Sequence, residues 1–286
     1  MTLYNGPIVD SHLHLWDVDK LDYPWLADIP MLNRSYLLED YTQATQGLNI
    51  ERMVFAQCEC DPKQFLDEAK WVEEQSKRDT RIQGLIAWAP LEKGAPVSED
   101  LERLENISIL KGIRRIIEFE DDDSFCLRSD FMEGVRLCGK HNLTFDICVK
   151  GDIQLGSVIQ LIDSCPNVQF VLDHIGKPFI KERLIEQWGK LIQQIAERPH
   201  VHCKMSGLVV EADRNNWEYR DLVPYMDTVL EAFGIERIMF GGDWPVVLQA
   251  SPYLGWVEAL TSYVSKLSGP EQSLIFSTNA VKFYAL

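Results

Sequence analysis

Short apolar runs recur along the chain at fairly even intervals, each bounded by residues that favour turns. Eight of them, at about residues 7–13, 52–59, 82–89, 109–117, 143–149, 168–174, 201–206 and 237–242, predict buried β-strands. Their starts lie roughly 25 to 45 residues apart, which leaves room for a helix in every gap. Several gaps carry apolar residues at helical spacing: Phe65, Ala69 and Val72; Phe131, Val135 and Cys138; Leu184, Trp188, Leu191, Ile192 and Ile195. Strand followed by helix, repeated, demands a parallel sheet covered by helices. Eight repeats predict an α/β fold of the (β/α)8 TIM-barrel type, one domain over residues 1–286.

Composition agrees with that expectation and narrows the partners. At 286 residues and 46% hydrophobic content the chain can bury a large single core. Lysine and arginine total 28 against 44 acidic residues, a net charge of −16 spread along the chain, which argues against nucleic acid as a partner. The seven cysteines are odd in number and mostly sit in apolar runs, so they read as packed thiols in a reducing compartment. Cys58-Glu59-Cys60 has no second pair at zinc-ribbon spacing. No basic-then-apolar leader opens the chain, no apolar run reaches the roughly 18 residues of a membrane span, and no Gly-x-Gly-x-x-Gly follows the first strand. The expectation is a cytoplasmic protein acting on a small molecule, without nucleic-acid or membrane partners; oligomeric state has no signature here.

In such a barrel, chemistry gathers at the carboxyl ends of the strands. Asp10-Ser11-His12-Leu13-His14 ends the first strand, and alternation sends His12 and His14 to one face and Leu13 to the other. The last strand ends in Gly241-Gly242-Asp243-Trp244-Pro245, and closure brings the two strands together. Other polar residues at strand ends are Glu59, Arg114 or Arg115, Asp146, His174, Lys204 and Ser206, whereas His141, His200 and His202 read as structural. Two imidazoles and a carboxylate can hold one divalent ion, zinc in particular, with an open position for water. Asp243 fits either as ligand or as general base, and His174 either as ligand or as the group that polarises a substrate carbonyl. Glu59 completes the metal shell or caps the following helix. Arg114 and Lys204 meet an oxyanion or substrate carboxylate, or neutralise nearby acids.

These residues, with Tyr23-Pro24-Trp25-Leu26, Lys111-Gly112-Ile113-Arg114, Asp173-His174-Ile175-Gly176-Lys177-Pro178, Lys204-Met205-Ser206-Gly207-Leu208 and Asn279-Ala280-Val281-Lys282-Phe283-Tyr284, occur in an order that resembles the amidohydrolase superfamily. The resemblance runs nearly end to end and is strongest to the amidohydrolase 2 branch of sugar-lactone and muconolactone-type hydrolases. It implies a distorted barrel, with His12 and His14 on strand one, His174 on strand six and a catalytic Asp243 on strand eight. Binuclear members carry a bridging lysine or glutamate on strand four and a histidine on strand five. Here Arg114 and Asp146-Ile147-Cys148 stand instead, so one metal is expected rather than two. Some lactonases of this branch are thought to work with no metal at all.

The implied reaction is opening of a lactone, a sugar-derived aldonolactone, by water that Asp243 activates with the help of the metal. Trp16, Tyr23 and Trp25 in the first loop either stack on a sugar ring or plug the barrel mouth. Two rival expectations are a metal-dependent decarboxylase or hydratase of an unsaturated dicarboxylate on the same barrel, and a non-catalytic barrel that binds a sugar acid.

Overall fold

Residues 3–286 are described by a computed structural model. Eight parallel strands run in chain order around the sheet: β1 (Ile8–Leu13), β2 (Ile50–Ala56), β3 (Ile82–Ala87), β4 (Leu110–Arg114), β5 (Thr144–Ile147), β6 (Phe170–Leu172), β7 (Val201–Met205) and β8 (Ile238–Phe240). Between them lie α1 (Leu38–Ala44), α2 (Phe65–Arg78), α3 (Val97–Leu104), α4 (Ser129–Lys140), α5 (Asp152–Ser164), α6 (Glu186–Ala196), α7 (Leu208–Glu211) and α8 (Tyr219–Phe233). After β8 come α9 (Tyr253–Val264), α10 (Gly269–Ser273) and α11 (Asn279–Tyr284). This is the expected (β/α)8 barrel. No helix among the described residues is long and apolar enough to cross a membrane.

All eight strands fall where the apolar runs lie, but most are shorter than those runs. β4 stops at Arg114 rather than 117, and Arg115 turns away to pair with Glu92 and Glu120. β6 keeps only Phe170–Leu172, because the backbone leaves extended geometry after Asp173: His174 and Ile175 have φ of 52° and 51°. Polar strand ends bend out of the ladder to aim their side chains, and an apolar run cannot report that bend.

Closure is the distorted feature. β1 and β8 share no regular ladder; a single parallel bridge joins Leu13 to Trp244, flanked by Asp243 N–H donating to the His12 carbonyl and His14 N–H to the Trp244 carbonyl, both at 2.8 Å. The carboxylate of Asp10 holds this seam. It accepts from the backbone N–H of Gly242 (2.8 Å) and His12 (3.1 Å), and from the hydroxyls of Tyr41 on α1 and Tyr253 on α9, each at 2.9 Å. A Cβ on Gly242 would collide with the Tyr253 ring and lie 2.5 Å from Asp10 Oδ2, so only glycine lets the chain approach this closely.

The ladder from β1 to β2 shifts register between Asp10 and Leu13. As a result Val9 and His12, three residues apart, both face the barrel interior, where strict alternation would separate them. Val9 joins Val54, Ile86, Val171 and Met239 in an apolar layer near the amino ends of the strands. Ala280 and Tyr284 of α11 close that layer from below, and the Tyr284 hydroxyl reaches up to donate to Asp146 Oδ2 at 2.9 Å.

Because four donors converge on one wholly buried carboxylate, Asp10→Ala leaves several of them without an acceptor. Each orphaned buried group costs about 1–3 kcal/mol. The expected loss of folding stability is about 3 kcal/mol or more, read from urea unfolding of the variant against the parent.

Candidate active site

Above the apolar layer the barrel interior becomes charged. Lys204 of β7 is fully buried, with its ammonium 2.6 Å from Asp146 Oδ2 of β5 and 3.0 Å from Asp173 Oδ1. Arg114 at the end of β4 lies 3.5 Å from Asp173 Oδ2 and donates through Nη2 to the Gln57 carbonyl. Burial pushes the Asp146 carboxyl up, to about 6. Burial acts the same way on Asp173, but the charges of Lys204 and Arg114 outweigh it and hold that carboxyl below its ordinary value. The result is a compact set of two cations and two acids, and no lone charge is stranded.

The histidines stand directly on this set. His12 places Nδ1 3.2 Å from the Lys204 ammonium and 3.4 Å from Asp173 Oδ1, and Nε2 3.2 Å from Arg114 Nη1. His14 donates from Nδ1 to the Ala56 carbonyl at 2.8 Å, since a carbonyl only accepts; its Nε2 therefore presents a lone pair. The two Nε2 atoms are 3.1 Å apart, as the His-x-His spacing predicts, and Asp243 Oδ1 lies 3.6 Å from that of His14 and 3.9 Å from that of His12. Asp243 has a φ of 54°, a left-handed backbone that turns its carboxylate back over β1. Among the described residues it forms no ion pair with a lysine or arginine.

His174 meets His12 edge to face, with ring centroids 4.4 Å apart, and its Nδ1 is 2.9 Å from the Ser206 hydroxyl. Gly207 has a φ of 72°, and a Cβ there would lie 2.7 Å from His174 Nδ1. Burial lowers the proton affinity of His12, His14 and His174, and nearby cations add to the effect, so all three rings are neutral at neutral pH.

A cavity of about 490 Å³, within the usual range for small-molecule sites, opens over these groups. His14, His174, Arg114 and Asp243 form its polar floor, and Trp16 and Trp25 stand on one wall. Among the described residues two sets of donors are close enough to share a metal: His12, His14 and Asp243, and His12, Asp173 and His174. The carboxylate of the second set is already engaged by Lys204 and Arg114. The first set offers two converging imidazole nitrogens and a carboxylate free of cationic side chains, and it fits one divalent ion better.

The structure corrects two expected substrate contacts and relocates a third residue. Lys204 does not reach the cavity: it lies one layer below, under His12, neutralising Asp146 and Asp173. Tyr23 is also absent from the lining, because its ring packs behind Trp16 at 6.3 Å between centroids, whereas Trp25 reaches the wall and donates from Nε1 to the Cys58 carbonyl. Glu59 lines the cavity but stands outside both metal-capable sets, with Oε1 accepting from Gln57 Nε2 at 2.6 Å. Nor does Glu59 cap α2, whose preceding turn is capped by Asp61. Of the remaining histidines, His141 pairs with Glu105, while His200 and His202 pack against Phe170 and Phe283.

Behind the cavity wall, Glu68 of α2 is buried and accepts from the Cys58 N–H at 3.1 Å. Burial raises its carboxyl from about 4.5 to about 8. Between those values the folded chain holds a proton that the unfolded chain has released, so stability falls as pH rises through this window, by at most about 1.4 kcal/mol per pH unit. Glu68→Gln is expected to flatten that slope between pH 5 and 8, as measured by urea unfolding at a series of pH values.

Comparison with known proteins identifies the family. The model of the amidohydrolase family matches residues 9–286. An L-fucono-1,5-lactonase from Burkholderia multivorans is 30% identical over 290 residues, spanning 97% of this chain and 96% of its own length. A second L-fucono-1,5-lactonase, from Burkholderia ambifaria, is 26% identical and spans 97% and 95%. The crystal structure of an amidohydrolase from Burkholderia multivorans with bound zinc superposes with a TM-score of 0.88 at 30% identity, covering 98% of this chain and all of the other. The chain belongs to the amidohydrolase family.

Proposed function

We propose that this protein hydrolyses sugar-derived lactones, opening an aldonolactone to its hydroxy acid. The observation that carries the reading is the approach of Asp243, free of lysine or arginine partners, to two neutral imidazoles on the floor of a cavity with an aromatic wall. The lactonase relatives support the substrate class.

In this reading Asp243 holds a water against the lactone carbonyl carbon and takes one of its protons as the carbon–oxygen bond forms. The carbonyl electrons move onto oxygen. In the tautomer this step requires, the Ser206 hydroxyl donates to Nδ1 of His174 and the hydrogen sits on Nε2, so that the neutral ring donates to the oxyanion; Arg114 adds positive charge nearby. As the ring carbon–oxygen bond breaks, Asp243 returns its proton to the leaving oxygen. Lys204 and Asp173 keep His12 in place throughout.

The residues that would hold a divalent ion are His12 and His14 through Nε2, with Asp243 beside them, and zinc suits that nitrogen–carboxylate set. When bound, such an ion supplies Lewis acidity and lowers the pKa of water.

A pH-indicator screen of aldonolactones, run with and without chelator, tests the reading: acid release above the buffer rate is expected for at least one of them, and none would overturn it. Asp243→Asn keeps the shape but removes the base, with an expected fall in kcat of about 10²- to 10⁴-fold. Gly207→Ala pushes on His174 without touching the floor acids, and kcat/KM is expected to fall about tenfold or more as the oxyanion donor shifts. Steady-state kinetics on the best lactone measures both.

A further inference from the structure

We infer that two ion pairs on the cavity wall, Glu118–Lys177 and Glu211–Lys150, select neutral polyhydroxylated lactones over lactones that carry a carboxylate; this deepens the lactonase reading and rests on it. All four side chains line the cavity. Glu118 follows β4, Lys150 follows β5, Lys177 follows β6 and Glu211 ends α7 after β7, so four consecutive strands each contribute one charge to the same side of the mouth. Lys177 Nζ contacts Glu118 Oε2 directly, and Lys150 Nζ lies 2.6 Å from Glu211 Oε2. Both glutamate side chains are only 10% exposed, and the pairs sit at the wall rather than in open solvent.

The remaining cations of the lining are also engaged. Arg114 serves Asp173 and the Gln57 carbonyl, and Arg214 donates to Gln249 Oε1 at 2.9 Å and to the Val210 carbonyl at 3.2 Å. Four cations therefore face four carboxylates in the lining, the other two acids being Glu59 and Asp243. A substrate carboxylate against this side of the mouth would lose water and find both ammonium groups already neutralised; to bind them it would have to displace a glutamate and leave that charge unpaired, whereas Arg214, held by the neutral groups of Gln249 and Val210, is the one lining cation without a carboxylate partner among the described residues. A hydroxyl meets no such conflict. It donates to the glutamate and accepts from the lysine of the same pair, gaining charge-assisted hydrogen bonds without separating the ions. Trp25, backed by the buried Trp16, adds flat apolar surface to the same cavity, suited to the less polar face of a ring.

The test compares kcat/KM for a neutral aldonolactone with that for a lactone bearing a free carboxylate, in the parent protein, Glu118→Gln and Glu211→Gln. The parent is expected to prefer the neutral lactone. Each glutamine variant frees an ammonium, so KM for the neutral lactone should rise about tenfold while kcat/KM for the acidic lactone rises, and the preference should fall by about tenfold or more. Lys177→Met is the counterpart: it should weaken the neutral lactone with no gain for the acidic one. An unchanged preference in both glutamine variants, with thermal unfolding showing them folded, overturns the inference, and so does a parent that turns over both lactones equally well. A parent that opens neither would instead sink the lactonase reading itself, a distinct result.

Discussion

Everything at the active site depends on how the barrel closes between its first and last strands. A regular ladder there would run β1 past β8 at fixed register and give Asp243 no reason to turn inward. Instead the Asp10 carboxylate gathers donors from both sides of the seam and from α1 and α9, while Gly242 allows the approach. With the seam held by side chains, the chain after β8 is free to curl. The left-handed conformation at Asp243 then sets its carboxylate over His12 and His14. The register shift in β1 works to the same end, lifting both imidazoles onto the inner face above Val9.

Beneath them the interior is layered by polarity. Apolar side chains and Tyr284 fill the lower barrel, the buried Lys204–Asp146–Asp173 set fills the middle, and the imidazoles lie on top. A buried ion set of this kind adds little net stability compared with apolar packing, but removing one member strands the others. Its contribution here is positional: His12 is gripped at Nδ1 by groups that cannot move without uncovering a charge. Tyr284 ties that grip to α11, so a residue from the far end of the fold supports a ring from the first strand.

The apolar runs were enough to place all eight strands, and period-two alternation foretold that His12 and His14 share a face. What alternation cannot report is depth. It marks Lys204 as inward but not as lying below the cavity, because that depends on strand stagger and on how far Tyr284 rises from beneath. Loop conformation hid the difference between Tyr23 and Trp25, two aromatics two residues apart, of which one packs inward and the other reaches the wall. The pairs Glu118–Lys177 and Glu211–Lys150 left no trace in spacing at all, since their partners are 59 and 61 residues apart and meet only when the loops after alternate strands, β4 with β6 and β5 with β7, come together at the mouth.

Charge accounts for the division of labour on the cavity floor. Lys204 and Arg114 offset Asp146 and Asp173, and burial keeps the three imidazoles neutral, which leaves Asp243 as the single uncompensated charge among these groups. In the proposed reaction that free carboxylate is the group that takes the proton from the attacking water. It equally attracts a divalent ion, and a bound dication would turn the local sign from negative to positive, which favours a developing oxyanion. Either way the demand for positive charge comes from Asp243, and Arg114, 3.2 Å from His12 Nε2, limits how much more the floor can accept. In the proposed reading one divalent ion would match this charge distribution, whereas two would place four positive charges against one carboxylate.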